Sequence, residues 1–291
     1  MKDRKKFMRR LAGILQTRLP EIGLDKVKDP RPRDRRRRWR LACILQTILV
    51  SMFAGAKSLA DCEQSSELMS RSMQRLLGIR GRLPDTTCRD ILGWLDVEDL
   101  RACIHRMAKH AHRRRATLPQ GLPFGVLAMD GKYTCIPKND EPYSQKKETA
   151  GKNPESEMGM VRTITSALVS SAAKICIDVS PIPVKTNEMG HFAKAFTDLV
   201  DVYGRRNMFR VITADAGYAS EENAQLVVSK GYDFLFRLNT FQPTLLREAQ
   251  DQLAHVSVAV AQTQDGCKPG VVIRRLYLTE EMAGLSPRDA R

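Results

Sequence analysis

Phe124-Gly-Val-Leu-Ala-Met-Asp-Gly-Lys-Tyr133 is an apolar run that ends at a carboxylate followed by a glycine. The pattern returns 85 positions later in Phe209-Arg-Val-Ile-Thr-Ala-Asp-Ala-Gly-Tyr218. Each run predicts a short strand with an aspartate, Asp130 or Asp215, at its carboxyl end and a glycine soon after it, where the backbone can turn sharply. On neighbouring strands the two carboxylates would meet at one edge of a sheet, where they repel each other unless a divalent metal lies between them. The pair therefore predicts a Mg²⁺ site for phosphoryl transfer on DNA.

The positive charge of the chain is concentrated in its first part. The 291 residues carry 48 Lys and Arg against 33 Asp and Glu, a net charge of +15. Residues 1–120 hold 28 basic and 13 acidic side chains, whereas residues 121–291 hold 20 of each. Clustered positive charge favours a module that binds a polyanion such as nucleic acid, joined to an electrically balanced second module. The alternative is a charged surface that serves solubility alone.

Residues 28–40 are the most basic segment, with eight cations and two acids in thirteen residues. Their prolines predict an extended arm that leads into a helix beginning near Trp39. Such an arm suits the DNA backbone, where each neutralised phosphate releases counterions; the alternative is a solvated linker. With a basic helix end and one strand residue, the predicted DNA contacts are Arg35, Arg36, Arg37, Arg38, Arg113, Arg114, Arg115 and Lys132.

The rest of residues 1–120 shows helical periodicity, which predicts an all-α basic domain. Residues 4–19 form one predicted helix, which Pro20 is expected to stop. Residues 41–56 are apolar on almost every side and predict the central helix of a bundle. Residues 61–77 predict a further helix with one apolar face. Because the 41–56 run is too short to span a bilayer, no membrane partner is expected.

Cysteine and histidine spacing argues against a structural metal. The seven cysteines show no Cys-x2-Cys pair and no regular interval, which argues against a zinc ribbon or a disulfide framework and favours a reducing cytoplasm. His105, His110 and His112 lie among cations and lack the i, i+4 spacing that aims two imidazoles at one ion. A basic helix face is therefore favoured over a metal site.

The later part of the chain alternates strand and helix patterns. The predicted elements are, in order, the Asp130 strand, strands at 161–170 and 174–179, a helix opening at Asn187-Glu188, the Asp215 strand, a helix capped by Ser220, and a strand at 232–238. The first three strands would form an antiparallel meander. An acid such as Glu188 is favourable in the first turn of a helix whatever else it does. The order β-β-β-α-β-α-β predicts an α/β fold with a mixed sheet.

Four short motifs in this order resemble those of DDE-type insertion-sequence transposases. They are Asp29-Pro-Arg31, Asp130-Gly-Lys132, Thr186-Asn-Glu188 and the segment from Thr213 to Tyr218. The resemblance covers roughly residues 25–240. It implies a ribonuclease H-like catalytic core preceded by a helical DNA-binding region. By the same resemblance Asp130 and Asp215 are the first two catalytic acids, holding two Mg²⁺ ions about 3.5–4 Å apart, with Mn²⁺ as an alternative.

The resemblance also implies partners and a location. Double-stranded DNA is expected as the partner, both at the element ends and at the target, with a homodimer in the DNA complex and a nucleoid-associated location in a bacterial cytoplasm. Two smaller expectations concern the surroundings of the aspartates. Lys132 either contacts a phosphate or is an exposed lysine at a strand end, and Tyr218 packs behind the Asp215 turn in preference to stacking on a base.

One feature of the family is missing from this sequence. The third catalytic acid of the family is a glutamate on a late helix, in the pattern Tyr, two residues, Arg, three residues, Glu, six residues, Lys. That spacing is absent from residues 216–291. Residues 256–260 and 271–278, around a turn at 264–267, look like the start of the β-rich insertion that precedes this helix in the family. The expectation is a C-terminally truncated transposase.

The resulting division is a helical DNA-binding domain at 1–120, a ribonuclease H-like catalytic domain at 121–245 and an incomplete insertion at 246–291. Three functions remain open at this point. The chain is a Mg²⁺-dependent transposase impaired by loss of its third acid, a catalytically inactive remnant that only binds DNA, or a metal nuclease of the same fold without strand transfer.

Overall fold

The computed structural model describes residues 13–32, 37–137, 143–146, 158–240, 242–257, 259–267 and 270–276. The chain divides into two compact units. The helical unit comprises Met1–Leu118 with Ser171–Val179, and the sheet unit comprises Pro119–Ser170 with Ser180–Arg291. Among the described residues, none of the helices combines the length and the apolar character that crossing a bilayer requires.

The helices of the helical unit are short and follow one another closely. They are α1 (13–22), α2 (Leu41–Phe53), α3 (Leu59–Leu68), α4 (Arg71–Leu77), α5 (Asp85–Trp94) and α6 (Val97–Arg113), with a 3₁₀ turn at Leu24–Lys26. Helix α2 lies at the centre because its sequence is apolar on almost every side, and Leu41, Ile44 and Ile48 are buried. Its buried hydroxyl, Thr47 Oγ1, donates to the carbonyl of Cys43 at 2.7 Å. Each large aliphatic side chain buried here stabilises the unit by about 1.5–3 kcal/mol.

Side-chain caps determine where several of these helices begin. In α3, Ser58 Oγ accepts the N–H of Asp61 at 3.1 Å, and Asp61 Oδ2 accepts the N–H of Ser58 at 3.0 Å, which is a capping box. Ser70 caps α4 by accepting an N–H three residues on. Asp96 caps α6 by accepting the N–H of Glu98 at 2.9 Å. Such caps contribute about 1 kcal/mol each.

Two helix boundaries differ from the sequence prediction. Helix α1 continues through Pro20 for two residues, because a proline removes one N–H but the chain turns away only at Gly23, whose φ is 69°. The prediction that Pro20 stops the helix was wrong. Residues 61–77, predicted as one helix, form parts of α3 and α4, since Met69 has extended backbone with ψ of 138° and Ser70 caps a new helix.

The sheet unit contains strands β1 (Val126–Pro137), β2 (Ser144–Lys146), β3 (Met158–Leu168), β4 (Ile175–Pro181, of which residues 180 and 181 belong to this unit), β5 (Val211–Ala214), β6 (Asp233–Phe236), β7 (Ala261–Cys267) and β8 (Gly270–Leu276). Its helices are α7 (Glu188–Tyr203), α8 (Glu221–Ser229) and α9 (Pro243–Ala254), with 3₁₀ turns at Gly204–Arg206 and Ala216–Tyr218.

The main sheet is mixed, as the sequence predicted. Its order is β2-β3-β1-β5-β6. Strand β1 runs antiparallel to β3 from Leu127 to Pro137, and parallel to β5 as far as the pair Met129–Ala214. Strand β6 continues the parallel arrangement beside β5. Parallel neighbours need a crossover connection, which α8 supplies between β5 and β6.

Alternation along β1 assigns its residues to two faces of the sheet. Leu127 and Met129 are buried, whereas Asp130, which follows Met129, is partly exposed. Helix α7 is amphipathic as predicted, and its buried stripe contains Phe192, Ala195, Phe196, Leu199 and Tyr203. Because side chains alternate along a strand, Gly131 belongs to the same face as Leu127 and Met129.

Strand β1 is longer than the sequence predicted. Asp130 is the fifth residue of a twelve-residue strand, so the prediction that it ends its strand was wrong. The reason is the pairing with β3, which continues along β1 to Pro137. Asp215, in contrast, directly follows the last residue of β5, as expected.

The C-terminal elements also differ from the prediction. Residues 264–267, expected as a turn, belong to strand β7, and Cys267 pairs with Gly270 of β8. The described residues of 256–260 form no strand. Helix α9 was not predicted, although Pro243 at its start is a known signal for a first helical position. The two strands β7 and β8 pair antiparallel with each other.

A buried ion-pair network lies within the helical unit. Asp178 has no exposed surface. Arg101 of α6 donates to its two oxygens, from Nε at 3.1 Å and from Nη2 at 2.8 Å, and His105 Nε2 lies 2.9 Å from Oδ1. Burial by itself would raise the pKa of Asp178, but hydrogen bonds from His105 and Arg101 and the charge of Arg101 outweigh it, so this pKa lies below its ordinary value.

We expect Asp178→Asn to lower the free energy of unfolding by about 3–5 kcal/mol in urea denaturation, because it leaves the Arg101 charge buried without its counter-charge. Glu98→Gln is the matched control. Glu98 also pairs with Arg101, at 2.8 Å, but its side chain is 59% exposed. Its loss should therefore cost less than about 1 kcal/mol.

The same network predicts an acid dependence. Because folding lowers the pKa of Asp178, its contribution to stability is present above the unfolded pKa of about 3.9 and is lost as pH falls through the folded value. The wild-type protein should therefore lose stability in acid more steeply than Asp178→Asn. Parallel curves for the two proteins would contradict the assignment of this ion pair.

Candidate active site

Asp130 and Asp215 occupy corresponding positions on adjacent parallel strands. The pairing of β1 with β5 ends at Met129 and Ala214, so each aspartate is the next residue of its strand. Neighbouring strands lie about 4.8 Å apart. The two carboxylates therefore emerge at one edge of the sheet, which is the juxtaposition that the sequence predicted for them.

The turn after β5 fixes the direction of Asp215. Its Oδ1 accepts the N–H of Gly217 at 3.0 Å. The turn is held from behind, because Asn223 of α8 is buried and its Nδ2 donates to the carbonyl of Tyr218 at 2.9 Å. Gln242, at the start of α9, donates to the carbonyl of the residue after Asp215, also at 2.9 Å. Helices α8 and α9 thus hold the turn in place, while the Asp215 side chain stays exposed.

Asp130 is engaged by a lysine of its own strand. Its side chain is 49% exposed, and Lys132 two positions further along the same face forms an ion pair with it. The hydrogen bond from Lys132 and the negative charge of Asp130 raise the pKa of Lys132. A divalent cation at Asp130 would compete with the lysine.

Glu188, the first residue of α7, lies against β1. Asn187 caps α7 with its own side chain, and Arg162 of β3 donates to the carbonyl of Thr186 at 2.6 Å, which anchors the segment before the helix. A Cβ added to Gly131 would lie 2.2 Å from Glu188 Oε2. The carboxylate of Glu188 therefore fills the space that a side chain at the residue after Asp130 would need.

The buried hydroxyl of Tyr218 lies within electrostatic range of three carboxylates. Its side chain has no exposed surface, and its ring centroid lies 5.6 Å from that of Phe192, as packing behind the turn predicted. The hydroxyl has no hydrogen-bond partner among the described residues. Burial raises the pKa of Tyr218, and the negative charges of Glu188, Asp215 and Asp130 raise it further, in that order.

These residues fit a hard divalent cation. Mg²⁺ is bound by one or two carboxylates and keeps several other oxygen ligands. Asp130 and Asp215 are partly or fully exposed at the sheet edge. As the side chains stand, no three His, Cys, Asp or Glu groups converge closely enough to hold a metal, within the described part of the chain. Metal binding would require Asp130 to leave Lys132.

The third acid expected from the family resemblance has no counterpart among the described residues of the late chain. Glu248 lies on α9 and accepts a hydrogen bond from Gln252 of the same helix at 3.0 Å. Tyr277, Glu280 and Glu281 lie outside the described residues. The sequence predicted Glu188 as a helix-start residue within a motif that resembles the family's, and the glycine after Asp130 is a further signal that a second side chain approaches there.

The arginines of the basic arm have different surroundings. Arg35 and Arg36 lie outside the described residues. Arg37 is occupied within the arm, since it donates to Asp29 at 3.1 Å and to the carbonyl of Arg31 at 2.7 Å. Arg38 is exposed, with its guanidinium 4.5 Å from the centre of the Trp39 ring.

Two further surfaces carry positive charge in the helical unit. An open cavity of about 580 Å³ is lined by Arg38, Trp39, Arg40, Cys43, Gly78 and Arg80. At the end of α6, Arg113 and Arg115 are exposed, whereas Arg114 pairs with Glu21 at 2.6 Å. The described residues place no acid in ion-pair distance of Arg38, Arg113 or Arg115, so these side chains have charge available for a polyanion.

Comparison with known proteins returns only distant structural similarity. No family model and no curated protein matches the chain. A piggyBac transposase synaptic complex with hairpin DNA is 14% identical over 97% of this chain and 63% of that chain, with a TM-score of 0.37. A pre-cleavage Mos1 transpososome is 9% identical over 75% and 64%, with a TM-score of 0.26. A Mos1 transposase paired-end complex with the left transposon end is 10% identical over 78% and 68%, with a TM-score of 0.27.

This chain thus spans slightly less than two thirds of the first two of those chains.

We expect Tyr218→Phe to raise the free energy of unfolding by about 1 kcal/mol, because it removes a buried hydroxyl that has no partner among the described residues. Urea denaturation without divalent metal measures this. Tyr133→Phe is the control, since Tyr133 is 67% exposed and its hydroxyl is solvated in either state. A loss of stability in Tyr218→Phe would mean that the hydroxyl has a partner in the folded protein.

Proposed function

We propose that this chain is a DDE-type DNA transposase, which cleaves and joins DNA strands by Mg²⁺-dependent phosphoryl transfer at insertion-sequence ends. One observation carries the proposal. Asp130 and Asp215 follow the last paired residues of two adjacent parallel strands, so two carboxylates face the same edge of a mixed sheet. Paired acids in this position are suited to a divalent metal and to little else.

The sheet topology supports a ribonuclease H-like assignment for the sheet unit. Its order places the long antiparallel pair β3-β1 beside the parallel strands β5 and β6. Helix α7 follows the antiparallel strands and α8 connects the parallel ones. This is the arrangement that the family resemblance of the sequence implied, and we retain the assignment as part of the proposal.

In the proposed reaction Asp130 and Asp215 hold the metal, and Mn²⁺ could replace Mg²⁺. When bound, the cation supplies positive charge that offsets the charge spread over the transferred phosphoryl group. Lys132, freed from its ion pair with Asp130, would be available to contact the phosphate as a second positive charge. The turn held by Asn223 and Gln242 keeps Asp215 fixed, which matters because misplacement by 1 Å costs about 100-fold in rate.

The helical unit would hold the DNA. Exposed Arg38, Arg113 and Arg115 have no acidic partner among the described residues, and the cavity beside Arg38 brings Arg40 and Arg80 to the same surface. These contacts would bind the phosphate backbone and carry no sequence information. Double-stranded DNA is accordingly the proposed partner, and a homodimer on DNA and a place at the bacterial nucleoid belong to the same proposal.

The alternative is a catalytically inactive chain that only binds DNA. The observation that favours it is the Lys132–Asp130 ion pair, which neutralises one of the two acids, together with the lack of a late-helix glutamate among the described residues. Both alternatives include DNA binding, so catalysis decides between them.

A nicking assay with Mg²⁺ on supercoiled DNA tests the catalytic proposal. We expect cleavage by the full chain that Asp130→Asn and Asp215→Asn reduce to background, because each removes a carboxylate ligand. Asp201→Asn, which changes an exposed acid on α7, is the control and should cleave as the wild type does. DNA binding without cleavage by the wild type would favour the inactive alternative, and cleavage that persists in both aspartate variants would contradict the site.

The salt dependence of DNA binding tests the basic surface. Arg38→Gln should reduce the slope of log K against log salt concentration by about 0.9, the value for one lost phosphate contact. Arg37→Gln is the matched control, because Arg37 is occupied by Asp29 and should leave the slope unchanged. Equal slopes for Arg38→Gln and the wild type would remove this arginine from the interface.

A further inference from the structure

The carboxylate of Glu188 contacts Gly131 of β1 more closely than a role at the start of helix α7 requires. It sits over Gly131 so closely that an added Cβ would be 2.2 Å from Oε2 and 2.7 Å from Oε1. The φ of Gly131 is not positive, so its backbone conformation is open to any residue. The three atoms nearest to such a Cβ all belong to the carboxylate of Glu188, one residue from Asp130.

Beyond Met129, the edge of β1 that faced β5 is open. The pairing with β5 ends there, and no other strand in the described part of the chain takes it over. Adjacent residues of a strand face opposite sides, so Asp130 and Glu188 approach β1 from its two faces at the point where its edge is exposed. Asp215 leaves the neighbouring strand at the same level. The three carboxylates thus lie on both sides of one open stretch of backbone, and to bind one ion they would have to move closer together than they stand.

The Tyr218 hydroxyl is a second, independent observation at this place. Its side chain is fully buried, it has no partner among the described residues, and Glu188 is the carboxylate with the largest electrostatic effect on it, ahead of Asp215 and Asp130. A buried hydroxyl without a partner is costly. A water or phosphate oxygen bound among the three carboxylates would satisfy it.

A role for Glu188 in starting helix α7 does not account for these contacts. Asn187 already caps the helix, accepting the N–H of Gly190 at 2.8 Å. An acid in the first turn of a helix is favourable whichever way its side chain points away from the helix. That role therefore requires no contact with β1. Arg162, which donates to the carbonyl of Thr186, holds the helix start above the strand.

We propose that Glu188 is a third carboxylate of the metal site, and that Gly131 is a glycine in order to admit it. The proposal rests on the function proposed above, and it supplies from α7 an acid that the late part of the chain does not provide among its described residues. Asp130, Asp215 and Glu188 would bind the cation directly or through its waters, with the Tyr218 hydroxyl donating to one of those oxygens.

Metal binding by the full chain tests this without reference to cleavage. Mg²⁺ and Mn²⁺ affinities are measured by calorimetry for the wild type, Asp130→Asn, Glu188→Gln and the control Glu222→Gln. Glu222 is an exposed glutamate in the first turn of α8, so like Glu188 it lies at a helix start, at the second helical position instead of the first. We expect at least about tenfold weaker binding in Glu188→Gln and unchanged binding in Glu222→Gln.

The melting temperature without metal gives a second readout. If Glu188 lies in a cluster of like charges, Glu188→Gln should raise the melting temperature of the metal-free protein, because repulsion is relieved. If Glu188 only favours the start of a helix, the same change should lower it, as Glu222→Gln is expected to do. A lowered melting temperature with wild-type metal affinity would overturn the proposal.

A double-mutant cycle tests the role of Gly131. Gly131→Ala should weaken metal binding in the wild-type background, because the new methyl group displaces the Glu188 carboxylate. In the Glu188→Gln background the same change should cause no further loss. Equal losses in the two backgrounds would show that Gly131 acts independently of Glu188 and would overturn the second half of the proposal.

The outcomes separate this inference from the proposed function. Metal binding that depends on Asp130 but not on Glu188 would overturn only the inference. A wild-type chain that binds neither Mg²⁺ nor Mn²⁺ would overturn both.

Discussion

The parallel pairing of β1 with β5 is the constraint on which the sheet unit depends. It sets Val126 beside Val211 and ends at the pair Met129–Ala214, so that register alone decides which residues emerge together at the edge. A shift of this pairing by one residue would turn Asp130 to the other face of the sheet and place a buried position at the edge instead. The buried side chains of β1 and the stripe of α7 resist such a slip, because both would lose their apolar contacts.

Much of this arrangement follows from local patterns in the sequence. The apolar stripe of α7 and the cap at Ser220 are visible as periodicity and cap chemistry, and both are observed. The two aspartates after apolar runs were sufficient to place them on neighbouring strands. These features are local because a helix or strand face is defined by a few successive residues.

Other features depend on partners far away in the chain, and the sequence alone could not reveal them. The length of β1 is set by β3, whose pairing continues past Asp130. Glu188 approaches Gly131 through the packing of α7, and a helix-start glutamate looks the same with or without that contact. The net charge of a segment likewise does not show which of its arginines are already paired. Arg37 and Arg114 belong to basic clusters but are paired with Asp29 and Glu21.

The helical unit is built from two separate segments of the chain, which limits how the chain can be cut into fragments. Residues 171–179 belong to it although they follow β3 in the sequence, and they contribute the aspartate that pairs with Arg101. A fragment cut at the first unit boundary would therefore retain the guanidinium of Arg101 and its exposed partner Glu98 but lose its buried counter-ion. The two units are not separable by a single scission of the polypeptide, and any fragment meant to isolate the first would have to bring a piece of the second half of the chain with it.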